Sequence, residues 1–387
     1  MSRHDFSGQI AGWEIMTALS PENKNIQMKK LGWILLLQLS YIGLFAQKTP
    51  SLSYTKAESL TIIGKSMPTP NVYDRIDTNE YKGLPARVAQ LLSNSAGLAV
   101  RFSTNSTVIS AKWCVSKSRA LANMVPTAHK GVDLYIKKGD SWQFAGIGKV
   151  TGICNDDVII NRMDDTEKEC LLYLPLYDSV KDVEIGVEKK SDIKAAADPF
   201  RKRVLIYGSS IVQGTGASRP GMAYPARLSR MTGINFINLG LSGSAKMEPE
   251  VANLVASIDA DAYVLDCVPN SSPAQITERA ANLVNTIRKK HPEAPIIVMQ
   301  SLFRETGYWD KVLGAQVKSQ NVNIQAEVLA LLQKGMKNLY FITSENMIGT
   351  DHEGTIDGTH PNDLGYDRML QYIKPLILDI LNKHGIK

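Results

Sequence analysis

A change of hydrophobic period near residue 200 constrains this chain more than any other feature. From about residue 48 to 195, apolar residues fall at every second position in short runs: Leu98–Phe102, Thr107–Trp113, Val132–Ile136 and Val183–Val187. Period two places alternate side chains on one face of a strand. Turn residues such as Lys138-Gly139-Asp140 and Asn155-Asp156-Asp157 separate the runs. Many short strands without intervening helices predict an all-β sandwich over 48–195. Asp192–Phe200, with its Ala-Ala-Ala-Asp-Pro stretch, reads as a linker.

Beyond it the apolar runs become continuous: Arg203–Tyr207, Ile234–Asn238, Ala262–Asp266, Pro295–Met299 and Asn338–Ile342. Such runs are strands buried on both faces, as in parallel sheets. Helical patterns lie between and after them, near 223–232, 247–257, 273–291, 315–335 and 363–384. The alternation predicts an α/β domain over 200–387, a flavodoxin-like doubly wound sheet of five parallel strands, with its site at their carboxyl ends.

A chain of 387 residues fits two domains, and 44% hydrophobic with 21% charged residues lets each bury a core. The net charge of +6 is spread without Lys/Arg clusters, so no nucleic-acid partner is expected. Met28-Lys29-Lys30, an apolar run to Ala46 and then Gln47 are the parts of a secretory signal peptide over 28–46. The run is shorter than the roughly 18–20 residues of a spanning helix, although an N-terminal membrane anchor is the alternative. Residues 1–27 read as an upstream extension, with Met28 as the candidate start. An exported protein, periplasmic or extracellular, with no stable membrane span after cleavage is the expectation. Cys114, Cys154, Cys170 and Cys267 lack metal-ligand spacing, so neither a metal nor a cofactor is expected. Export permits a disulfide among the first three, and the pairing stays open, as does the alternative of free buried thiols.

The loops at the strand ends carry the chemistry. The first strand runs into Gly208-Ser209-Ser210-Ile-Val-Gln-Gly214, a turn that holds a hydroxyl out of the sheet. A helix start just beyond aims backbone N–H groups at developing negative charge. Alone this loop also fits a phosphate cradle or a plain structural turn. The second strand ends in Asn238-Leu-Gly-Leu-Ser-Gly243-Ser, and the third in Asp266-Cys-Val-Pro-Asn270. Asn270 can donate to an oxyanion or simply form an Asx turn. After the fifth strand come Asp357-Gly-Thr-His360-Pro. An Asp three residues before a His can bind one ring nitrogen and leave the other for a serine. His352 is the competing histidine, but its neighbour Asp351 is adjacent in sequence and poorly placed to orient it.

Ser, Gly, Asn and Asp-x-x-His, delivered in that order, resemble the SGNH (GDSL-like) hydrolases across about residues 200–387. The resemblance implies a serine esterase with Ser210 as nucleophile and Asp357 and His360 completing the triad. Ser210 and Gly243 amides and the Asn270 side chain would be the oxyanion donors. The family's Gly-Asp-Ser reads Gly208-Ser209-Ser210 here, which makes Ser209 a competing nucleophile, and its Gly-x-Asn-Asp block reads Cys267-Val-Pro-Asn270-Ser271. Gly131-Val-Asp-Leu-Tyr135 and Leu172–Asp178 resemble the GxDLY domain that precedes such hydrolases in exported proteins. That architecture implies short-chain, acetyl-type esters of carbohydrate as substrate. Arg304 and Trp309, after the fourth strand, are candidate substrate contacts. An acyltransferase on the same scaffold and a non-catalytic glycan-binding protein are the alternatives. A nucleotide site is disfavoured, because a Walker lysine, a third glycine and a ribose-binding acid are all missing. Oligomeric state is open.

Overall fold

In the computed structural model, which describes residues 51–116 and 121–387, the period-two half forms two antiparallel sheets. One has the order β1 (Leu52–Lys56), β9 (Val180–Glu188), β4 (Ile109–Val115), β7 (Cys154–Ile160). The other runs β10 (Ile193–Ala195), β3 (Ala99–Thr104), β8 (Lys168–Tyr173), β5 (Val132–Lys138), β6 (Ser141–Gly148), with β2 (Thr61–Ile63) also paired to β3. Their facing sides close on Phe102, Trp113, Leu134, Leu172, Val183 and Ile185. Trp113 is fully buried, and its indole N–H donates to the Lys130 carbonyl at 2.8 Å. Cys114 and Cys154 stand opposite one another on β4 and β7 and form a disulfide, while Cys170 and Cys267 are buried free thiols.

The second sheet is buried on its other face too, which explains why Asp133 and Tyr135 alternate with Val132 and Leu134 on β5. That face meets Ala226 on the helix Tyr224–Thr232. Asp133 is completely buried, accepts from the Gly221 amide at 2.9 Å and pairs with Arg219 at 3.3 Å. The Arg230 guanidinium lies 3.8 Å from the centre of the Tyr135 ring, a cation–π contact.

The third sheet is parallel, in the order β12 (Ile234–Gly240), β11 (Arg201–Gly208), β13 (Ala262–Asp266), β14 (Ile296–Met299), β15 (Leu339–Ile342). This is the flavodoxin-like order expected, and the chain reverses direction across the sheet at β11. Helices Pro249–Ser257, Pro273–Lys290, Lys311–Gln333 and Asp363–Lys383, with Tyr224–Thr232, cover its two faces.

Segments without any period do not stay with the sandwich. Ile76, Val88, Leu91 and Leu92, most of them on the helix Ala86–Leu92, pack beside Tyr207 and Leu239 of the parallel sheet. Ala96, Met124, Ala128 and Leu176 pack on its opposite face with Ile206 and Val212. Arg75, fully buried, donates to the carbonyls of Asn238 and Gly240 at 3.0 Å each, of Leu91 at 2.7 Å and of Asn94 at 2.9 Å. A guanidinium with all its partners on backbone carbonyls is satisfied without a carboxylate, although burial lowers its pKa to about 10. Leu52–Lys387 consequently pack as one compact unit. Among the described residues no helix is long and apolar enough to cross a membrane. The signal-peptide reading of 28–46 falls outside the described residues.

Candidate active site

Where β11 ends, Ser209 turns back as the cap of a four-residue helix, Ser210–Gln213, its Oγ accepting the Ile211 amide at 3.2 Å. Asp and Ser are equivalent acceptors at such a cap. Ser209 therefore fills the capping role open to an Asp at that position, and it is completely buried. Ser210 instead presents its Oγ to His360 Nε2 at 2.8 Å.

The histidine comes from a loop that folds on its own aspartate. Asp357 Oδ1 accepts the amides of Thr359 at 3.0 Å and His360 at 2.9 Å, and Oδ2 meets His360 Nδ1 at 2.7 Å. An aspartate acceptor makes Nδ1 the protonated nitrogen, so Nε2 carries the lone pair that faces the serine. Asn123, from the sandwich half, donates its side-chain amide to the same Oδ2 at 3.0 Å. Burial pushes the Asp357 carboxyl up, but the hydrogen bonds from Asn123 and His360 outweigh it and bring the pKa to about 2. Behind the loop, Gly216 at φ +89° packs so tightly that a Cβ there would sit 2.2 Å from the Pro361 carbonyl oxygen. Only glycine fits that approach.

The three residues expected to supply donors line one cavity. The Ser210 amide, first in its helix, has no carbonyl of that helix to bond. Gly243 holds φ +68°, a left-handed conformation natural to glycine. Asn270 ends the short helical turn Val268–Asn270, and its Oδ1 accepts the Ala245 amide at 3.2 Å. An N–H donor there fixes which end of the carboxamide is oxygen, so Nδ2 is the free donor. All three residues line a cavity of about 260 Å³ with His360, Ile211, Pro269 and Leu302. A serine hydroxyl hydrogen-bonded to an oriented imidazole, beside a cavity lined by residues with N–H donors, is an arrangement that can support acyl transfer.

Residues 201–378 match the GDSL-like lipase/acylhydrolase family, and residues 52–193 match the GxDLY N-terminus of SGNH-hydrolase-type esterases. A crystal structure from Bacteroides ovatus, described as that of a GDSL-like lipase, is 53% identical, with a TM-score of 0.85. The alignment covers 86% of this chain and 98% of that one. The chain belongs to the GDSL-like lipase/acylhydrolase family. Its fold also resembles a salicylyl-acyltransferase from a tetracycline biosynthetic pathway, at TM-score 0.65, 16% identity and 86% and 96% coverage of the two chains. An acetyl xylan esterase from the rumen bacterium Butyrivibrio proteoclasticus gives 0.54, 14%, and 87% and 99%. No match is found among curated proteins.

In this GDSL-like hydrolase, Arg304 also lines the small cavity and donates to the Pro269 carbonyl at 2.7 Å; burial lowers its pKa. Trp309 is 88% exposed and lines neither this cavity nor the larger one beside it. His352 is not brought to Ser210: its Nδ1 pairs with Glu305 at 2.8 Å, and Asp351 is taken by Arg368. Among the described residues no three His, Cys, Asp or Glu side chains cluster as a metal site requires.

Several residues around the GDSL-like site have contacts that the sequence does not assign to them. Gln213 is completely buried and ties three segments together: it donates to Asn94 at 3.1 Å and to the Leu176 carbonyl at 3.0 Å, and accepts the Ser242 amide at 3.0 Å. Tyr177, from the sandwich half, bonds its hydroxyl to Thr215 just behind the helix Ser210–Gln213. With Asn123, these contacts join loops distant along the chain, where no spacing could announce them.

Proposed function

We propose that the protein is an exported esterase that removes short acyl groups, acetyl foremost, from carbohydrates. The single observation that carries this reading is the unbroken chain from Ser210 Oγ through His360 to Asp357. Ser210 attacks the ester carbonyl as its proton passes to His360 Nε2, and Asp357 stabilises the imidazolium. The carbonyl oxygen, now negative, accepts from the Ser210 and Gly243 amides and from Asn270 Nδ2. Collapse breaks the bond to the alkoxy oxygen, which takes the proton from His360. Water then attacks the acyl-serine with His360 as base, and the carboxylic acid departs.

The small cavity, walled by Ile211, Pro269 and Leu302, favours a short acyl chain. Arg304 at its edge is positioned to contact substrate, whereas Trp309 meets only a ligand that extends past the cavity. Carbohydrate as the alcohol is supported by the acetyl xylan esterase of like fold. The apolar run at 31–46 and the Cys114–Cys154 disulfide support export, since disulfides persist in oxidising compartments.

Aryl acetate turnover by the wild type, Ser210→Ala and His360→Ala tests the assignment. Each variant is expected to lose several orders of magnitude in kcat, as removal of either member of such a unit does. Wild-type turnover in either would refute it. Product analysis with an added sugar acceptor separates hydrolysis from acyl transfer.

A further inference from the structure

A second cavity, about 490 Å³, opens beside the first, and the two share only Ser242 and His360 in their walls. We propose that this larger cavity is the subsite for the alcohol portion of the ester, that the sandwich half builds most of it, and that it takes a polyhydroxylated alcohol. The proposal rests on the Ser210–His360 reading above and extends it to the other side of the scissile bond.

The geometry of the tetrahedral intermediate gives the direction. Its carbon is bonded to Ser210 Oγ, and its oxyanion points at the donors of Ser210, Gly243 and Asn270. These three all line the small cavity, where Ile211 and Leu302 leave room for a short acyl group. The fourth substituent is the alkoxy oxygen, which receives its proton from His360 Nε2 and must lie against the imidazole. His360 is also the wall through which the small cavity meets the large one, so the substituent on that oxygen is directed into the 490 Å³ space. That volume lies within the range of small-molecule sites, about 300–1,000 Å³.

The lining supplies the ligand's chemistry. Arg87 and Gln90 stand on the helix Ala86–Leu92, and the guanidinium donates to Gln90 Oε1 at 2.7 Å. This leaves the Gln90 NH₂ and the remaining guanidinium N–H groups as donors. Asn123 spends its NH₂ on Asp357 and keeps its carbonyl oxygen as an acceptor beside His360. Hydroxyls of Ser179 and Ser242 add to the wall, against two leucines, Leu91 and Leu121. An alkyl alcohol in such a space would strip water from these groups and return no hydrogen bonds, which is costly. A sugar returns them.

Two esters with the same acyl group test this on the full chain: an acetylated xylo-oligosaccharide and 4-nitrophenyl acetate. For wild type, Gln90→Leu and Arg87→Met, the measured quantity is the ratio of kcat/KM between them. That ratio does not depend on how much of a variant is folded. It is expected to fall roughly tenfold in Gln90→Leu, the loss of a neutral hydrogen bond, and up to about a hundredfold in Arg87→Met, where the donor is charged. Weaker inhibition of both variants by the deacetylated oligosaccharide is expected alongside. A ratio that stays at the wild-type value in both variants overturns the subsite. Loss of the underlying triad reading would show differently, as undiminished 4-nitrophenyl acetate turnover by Ser210→Ala.

Discussion

Replacing Asn270 with Asp exchanges one NH₂ for an oxygen and leaves the side-chain shape in place. In the wild type Oδ1 holds the Ala245 amide at 3.2 Å, which leaves Nδ2 as the donor of a side chain that lines the 260 Å³ cavity. Asp keeps the first contact and removes the second. Losing one oxyanion donor costs about 2.7–4 kcal/mol of transition-state stabilisation, or roughly 10²–10³ in kcat. A carboxylate next to a developing oxyanion adds repulsion, so Asn270→Asp should fall at or beyond the upper end of that range. KM should move much less, because the contact strengthens only in the transition state. Asn270→Ala is the companion variant. It loses the donor and also orphans the Ala245 amide, at a further cost to stability of about 1–3 kcal/mol. The assay is kcat and KM on an aryl acetate at neutral pH, paired with thermal melting. The expected pattern is a large kcat loss in both variants with a lowered melting temperature only in Asn270→Ala. Wild-type kcat in Asn270→Asp would refute the donor role.

Two further predictions concern pH. Asp266, buried at the end of β13 with Tyr224 donating to it at 2.9 Å, has its pKa pushed by burial to about 7. A carboxyl raised on folding binds its proton more tightly in the native state, so stability gained below the ordinary value of 3.8 is lost as pH rises through 7. The contribution is on the order of 4 kcal/mol across that window, and Asp266→Asn should flatten the slope of melting temperature against pH; an unchanged slope would refute it. Asp357 has the opposite sign: its depressed pKa of about 2 contributes stability above the ordinary 3.8 that is lost as pH falls through 2. Removing the leading hydrogen bond with Asn123→Ala should raise that pKa and move the acid-unfolding midpoint upward, and an unmoved midpoint would refute the contact.

Periodicity located the parallel strands to within a residue or two because their side chains are buried on both faces and must be apolar throughout. Ile234–Asn238 and Ala262–Asp266 fall within β12 and on β13. The four motif blocks were legible because each sits in the loop that its strand delivers. Register against the family pattern favours Ser210, but Ser209 stayed a competitor in sequence, since a nucleophile and a cap are both serine; its burial and its bond to the Ile211 amide give it the place of a cap. Asn123 was beyond reach for another reason. It touches Asp357 across 234 positions of chain, and a lone asparagine in a loop has no spacing to betray a partner. The disulfide was likewise undetermined until register set Cys114 against Cys154. Arg75 shows the same limit, since its partners are carbonyls that every residue possesses.

The second antiparallel sheet, clad on both faces, has a consequence for how such an enzyme can change. Its outward side chains Asp133, Tyr135 and Tyr173 are spent on Arg219, Arg230 and Ala226, so that surface is closed to variation. Arg87 and Gln90, on the exposed side of the helix Ala86–Leu92, reach the larger cavity without belonging to that sheet. Substitutions at these two positions are therefore expected to alter the proposed alcohol subsite while the sheet keeps its packing. By the same token, residues 200–387 expressed alone would expose Tyr207, Leu239 and Ile206 where Leu91, Leu92 and Leu176 now cover them. The hydrolase half thus takes part of its core cover from the residues upstream of it.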